Sequence, residues 1–274
     1  MTQLLEMLQY PFLVRALAVG LMVSLCAALL GVSMVLKRYS MIGDGLSHVA
    51  FGAMAVATAV GWAPLALAIP VVMASAFLLL RISANSKIRG DAAIAMLSAA
   101  CLAVGVMVVS QTSGMNTAIY NYMFGSILSL STADTVISLV LSAAVLLLFV
   151  LFYTRIFSVT FDETFSRATG TRAGLFNAVI ALLTAVTVVL GMRMMGALLI
   201  SSLVIFPALT AMRLCKRFFT VVLCAAAVSV ICFTVGMTLS YGLGAPSGAS
   251  VVLTNVAAFL AFSLARLIRG GVRR

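Results

Sequence analysis

Apart from five cysteines, the side chains in this sequence able to hold a divalent cation or relay a proton near neutral pH are few: Glu6, Asp44, Asp91, Asp134, Asp162, Glu163 and a single histidine, His48. Two of them stand four residues apart in the run Gly43-Asp44-Gly45-Leu46-Ser47-His48-Val49-Ala50-Phe51-Gly52. On a helix that spacing places carboxylate and imidazole on one face, with their Cβ atoms about 6 Å apart, so one cation could bridge them. Oxygen plus imidazole nitrogen suits zinc and is acceptable to manganese or iron. One Asp and one His do not close a tetrahedral site, and that incompleteness fits an ion that must be held and then released. The same pair could serve as a proton relay in an ion-coupled secondary transporter. The plainer alternative makes Asp44 a helix cap and His48 a core histidine. Inside a membrane the functional reading gains weight, because ionisable side chains there are costly and mark transport paths.

A membrane is what the rest of the sequence implies. The chain is 64% hydrophobic and 8% charged, with a mean hydropathy of +1.24, where a soluble domain is about half apolar and a quarter charged. Apolar runs at 12–36, 46–61, 63–80, 92–110, 135–153, 174–191, 196–212, 218–240 and 248–268 predict an all-α, polytopic protein with eight to nine crossings. They fill residues 1–274 as a single transmembrane domain. The first run reads as a span and not as a cleaved leader. If nine segments alternate, all but Arg15 and Arg193 of the 17 basic residues fall on one side. The positive-inside rule makes that side cytoplasmic and puts the C-terminus there. The net charge of +11 is therefore a topology signal spread in short clusters, not a nucleic-acid surface. The stretch 111–134, with its tyrosines and asparagines, is expected outside or half-embedded.

Asp91 and Asp134 each precede an apolar run and read as helix N-caps. The segment 160–170 (Thr160-Phe-Asp-Glu-Thr-Phe-Ser-Arg-Ala-Thr-Gly170) falls between two spans. Thr160 and Glu163 have capping-box spacing and Gly170 is placed to end a helix of two to three turns. Phe161, Phe165 and Ala168 make an apolar stripe at i, i+4 and i+7, suited to the membrane surface or to docking a cytoplasmic partner. No P-loop, zincin or serine-hydrolase motif is present, which leaves no visible machinery for ATP binding or hydrolysis within this chain. The five cysteines, odd in number and without C-x-x-C spacing, read as packing thiols, and the 16 methionines read as gap fillers.

With Gly43–Gly52 at its centre, the chain resembles the permease subunits of bacterial ABC importers for zinc and manganese, through nearly its whole length. The resemblance is carried by Val35-Leu-Lys-Arg-Tyr-Ser-Met-Ile-Gly-Asp-Gly-Leu-Ser-His48, Phe124-Gly-Ser-Ile-Leu128, Phe161-Asp162 with Ala168 and Gly170, the stretch 196–208, and Pro246-Ser-Gly-Ala249. It implies a homodimeric permease of the vitamin-B12-permease-like, type II importer class in the bacterial cytoplasmic membrane, with the pore on the dimer axis. It also implies two ATPase subunits on the cytoplasmic face, which bind and hydrolyse ATP, and an extracytoplasmic metal-binding protein. Asp44 and His48 then fall on a metal site in the pathway, and Phe161, Asp162, Glu163, Phe165, Ala168 and Gly170 on a coupling helix. No catalytic residue and no covalent cofactor is implied. The local string 43–52 looks closer to zinc-type members, with manganese the main rival.

Overall fold

The computed structural model of the chain describes residues 9–39, 41–85, 90–112, 125 and 131–271. Among these the regular elements are all helices: α1 (Pro11–Leu36), α2 (Ile42–Val60), α3 (Pro64–Asn85), α4 (Gly90–Gln111), α5 (Thr132–Leu151), α6 (Tyr153–Phe161), α7 (Glu163–Ala168), α8 (Ala173–Met195), α9 (Ala197–Leu214), α10 (Phe218–Leu243) and α11 (Ser247–Gly271). Each expected span falls on a long helix. Eight of them are long and apolar enough to cross a membrane, and α2, which carries Asp44 and His48, is the long helix outside that set. The expected run 135–153 is cut short at Leu151, where Phe152 turns the chain into the separate helix α6.

The bundle is layered by burial. In α1 and α8 more than three-fifths of the apolar window is buried, whereas α3, α4, α5 and α11 turn most of theirs outward. Their exposed Leu147, Val150 and Leu151 on α5, and Leu253, Leu260 and Leu264 on α11, are the surface that lipid chains solvate as well as a protein core would. All five cysteines are free thiols.

The acidic caps fall elsewhere than expected. Ser131 caps α5 by accepting from the Asp134 N–H at 3.0 Å. That leaves Asp134 inside the first turn, paired with Arg193 at 3.4 Å. Helix α4 begins at Gly90, so Asp91 also lies inside its helix and not at the cap. Of the stretch 111–134, residues 113–124 and 126–130 lie outside the described residues. Gly125, at φ +79°, sits so close to the end of α8 that a Cβ would come 2.4 Å from the Met195 carbonyl carbon.

Candidate metal site and docking element

Helix α2 packs against α3, α4, α8 and α9, and its glycines show how it is turned between α4 and α9. On one side Gly45 and Gly52 let α4 approach closely: a Cβ on Gly45 would lie 2.3 Å from Ile94 Cγ2, and one on Gly52 2.6 Å from the Cys101 carbonyl oxygen. Both glycines step seven residues forward as Ile94 and Cys101 do, so the two helices run parallel. On another face Gly43 rests at ordinary contact on the Val204 side chain of α9. Asp44 and His48 occupy the face between.

Their ligand atoms are placed as the spacing predicts. His48 Nε2 lies 3.8 Å from Asp44 Oδ2, too long for a hydrogen bond. Two ligand atoms bonded to one ion at about 2.0–2.2 Å stand no more than ~4.4 Å apart, so this gap accepts a single bridging cation. Both side chains are open, at 26% and 47% exposure for His48 and Asp44, which permits exchange. The second Asp44 oxygen, Oδ1, accepts from the Ser201 hydroxyl at 3.3 Å. Ser201 sits in the second turn of α9 and also faces the Ala197 carbonyl at 3.2 Å. Among the described residues no group of three or more His, Cys, Asp and Glu side chains gathers in metal-binding range. The candidate site is thus one carboxylate and one imidazole with one hydroxyl beside them. Sequence reasoning missed Ser201, whose only signal is its place in the glycine-led stretch 196–208.

The 160–170 segment is two helices. Thr160 is not a cap: it is buried at the end of α6, where its hydroxyl donates to the Ile156 carbonyl at 2.6 Å. The cap is Asp162, whose Oδ1 accepts from the Phe165 N–H at 2.8 Å. Helix α7 spans six residues, shorter than expected. It ends at Gly170, at φ +82°, through the Gly170 N–H to Arg167 carbonyl bond (3.1 Å) and the Thr171 N–H to Ser166 carbonyl bond (2.9 Å). This paired ending needs a left-handed residue, which glycine adopts without strain. Breaking the helix at Asp162 also divides the apolar stripe. Phe161 belongs to α6 and packs on Phe157 and Phe218, at 5.0 and 5.8 Å between ring centroids. Phe165 and Ala168 stay on the exposed side of α7, Phe165 at 62% exposure.

Glu163 opens α7 and ties it to the bundle. Its carboxylate accepts from Arg167 at 2.5 Å and from Asn177 Nδ2 at 2.9 Å, and lies 4.0 Å from Lys37 Nζ. Lys37 in turn donates to Asn177 Oδ1. Burial raises the Glu163 carboxyl, but the hydrogen bonds from Asn177 and Arg167 and the charges of Lys37 and Arg167 outweigh it and hold the group below its ordinary value. Burial lowers the Lys37 ammonium from its usual range, and the Glu163 charge only partly opposes this.

Among the described residues, an all-helical bundle with eight helices long and apolar enough to cross a bilayer is that of a multi-pass membrane protein. The ABC 3 transport family matches residues 9–266, and the chain belongs to it. It is 29% identical to the manganese transport system membrane protein MntC of Halalkalibacterium halodurans, over 94% of this chain and 88% of that one. It is 30% identical to a "Probable iron transport system membrane protein" of Haemophilus influenzae, over 96% and 98% of the two chains. Among solved structures it resembles PsaBC from Streptococcus pneumoniae, determined in complex with Fab, with a TM-score of 0.85 and 26% identity, covering 95% of this chain and 94% of that one.

Proposed function

We propose that the chain is the membrane-spanning permease subunit of an ATP-driven importer for a divalent transition metal. In this reading it works as two copies, with two ATP-hydrolysing subunits docked on α7 at the cytoplasmic face and a metal-binding protein delivering the ion from outside. The C-terminus is cytoplasmic, on the side where the basic residues collect. The observation that carries the proposal is the Asp44–His48 pair, one helical turn apart with ligand atoms at 3.8 Å, on a helix packed inside a membrane bundle. The cargo is manganese. The Asp44 carboxylate and the Ser201 hydroxyl make an oxygen-rich, open set harder than the closed sites zinc prefers, and relatives are named for manganese and iron transport. Zinc, to which the string 43–52 points, is the alternative the same assay decides.

The test is uptake of radioactive manganese into proteoliposomes holding the permease, its ATPase and its binding protein. Asp44→Ala and His48→Ala should each reduce uptake to background while the ATPase still copurifies, because each removes a ligand and little packing. Manganese uptake should survive excess zinc. Normal uptake by either variant, or uptake by the permease alone without ATP, would overturn the reading; zinc uptake that excess manganese leaves unchanged would reassign the cargo.

A further inference from the structure

The end of α1, the start of α7 and the second turn of α8 meet at three side chains, Lys37, Glu163 and Asn177, each in contact with the other two. The Lys37 side chain is only 11% exposed, whereas Arg167, the other cation on Glu163, is 66% exposed. An ammonium taken this far from water stays charged only where fixed polar groups replace its hydration, and here they are the Asn177 Oδ1 acceptor and the Glu163 carboxylate, whose charge lies 4.0 Å away.

Lys37 is also the C-cap of α1 and the head of the tight link to α2. Arg38 takes φ +62°, a left-handed conformation that costs a residue with a Cβ about 1 kcal/mol or more. The Tyr39 N–H turns back to the Met34 carbonyl at 2.9 Å, and the Ile42 N–H donates to the Tyr39 carbonyl at 3.1 Å. Asp44 follows as the third residue of α2. Through these two bonds Tyr39 is tied to α1 on one side and to the start of α2 on the other, which gives a displacement of Lys37 a path toward α2. The one exposed element gripping Lys37 is α7.

Building on the proposed docking of α7, we infer that the Glu163–Lys37–Asn177 junction carries movement of α7 to the Asp44–His48 pair, with Lys37 as the positioning residue that joins them. Lys37 touches neither the cargo site nor the exposed face of α7. Lys37→Met removes the charge at similar length. Glu163 keeps Arg167 and Asn177, so the fold should hold.

The experiment uses the whole transporter with a reporter thiol at the exposed Met41 of the link, Met41→Cys, and reads its alkylation rate with and without ATP. With Lys37 intact, ATP should change the rate severalfold. In Lys37→Met the change should vanish while the ATPase copurifies at the wild-type ratio, and manganese moved per ATP should fall at least tenfold. Lys37→Arg should recover most of both signals. Phe165→Ala sets the contrasting pattern, since it should lose ATPase copurification itself. Should Lys37→Met be poorly folded, Asn177→Leu severs the junction from the α8 side with the same expected readings. An unchanged ATP response in these variants, or a loss of ATPase association matching that of Phe165→Ala, would overturn the inference. Thiol reactivity does not depend on the cargo, so absent manganese uptake with an intact ATP response would count against the proposed function alone.

Discussion

The Ser201 hydroxyl has one proton and two acceptors at nearly equal reach, Asp44 Oδ1 at 3.3 Å and the Ala197 carbonyl at 3.2 Å. Neither bond is short, so the hydroxyl is free to rotate toward its helix and present a lone pair to an ion held by Asp44. Ser201→Ala should therefore weaken manganese uptake modestly, by about 1 kcal/mol or roughly fivefold in half-saturating concentration, the worth of one polar contact. Ser201→Cys should shift preference toward zinc by placing a soft sulfur there. Competition between the two ions in uptake reads both, and half-saturation unchanged in both variants would remove Ser201 from the site. Asp44 and His48 could be singled out as candidates from the sequence because charge is so scarce in an apolar chain that each instance demands a reason. Ser201 could not, since a serine within a helical run is unremarkable and its partner lies 157 residues away in the chain.

At the scale of elements, the placement of the Asp44–His48 pair depends on how closely α2 can approach α4. A methyl at Gly52 would meet a backbone carbonyl at 2.6 Å, which cannot move without shifting α4. Gly52→Ala should cost about 1–3 kcal/mol by overpacking, seen as a lowered melting temperature in detergent, and should reduce uptake by moving Asp44 and His48 together away from Ser201 of α9. The control is Gly174→Ala in the first turn of α8, where a Cβ meets nothing within 4 Å. There the restriction of the unfolded chain should leave stability equal or higher by ~0.4–1 kcal/mol. Equal melting temperatures for Gly52→Ala and wild type would show that α2 and α4 separate freely. The helix starts were only half legible. Thr160 and Asp162, two residues apart, both offer capping oxygens, and the choice falls on Asp162 because Thr160 is buried in the last turn of α6. Helix α6 itself escaped notice because it is only nine residues long and mixes Thr154, Arg155 and Ser158 with its apolar side chains, so it reads as part of the loop after the span.

For the molecule as a whole, crossings could be read from composition because only a bilayer accepts this much apolar surface, and eight of the long helices meet that condition on length and hydropathy alone. The basic clusters gave an orientation, but counting Lys37 as one charge in a loop hid its contact with Glu163, which needs three elements folded together. The shortfall of α2 has a consequence for how the protein reaches the membrane at all. During synthesis this segment emerges with a carboxylate and an imidazole on one face, before its packing partners α3 and α4 have been made. A nascent α2 therefore partitions weakly and commits to the bilayer only as a unit with α3 and α4, whose surplus of apolar surface compensates for the polar face. A nascent chain ending at Val60 should leave a glycosylation tag placed beyond α2 in the orientation of an unspanned segment, and extension through Gln111 should restore the spanning orientation. Full insertion of the shorter chain would mean that α2 needs no neighbours, whereas dependence on α4 would make α2 a membrane helix only after the two spans that follow it in the chain.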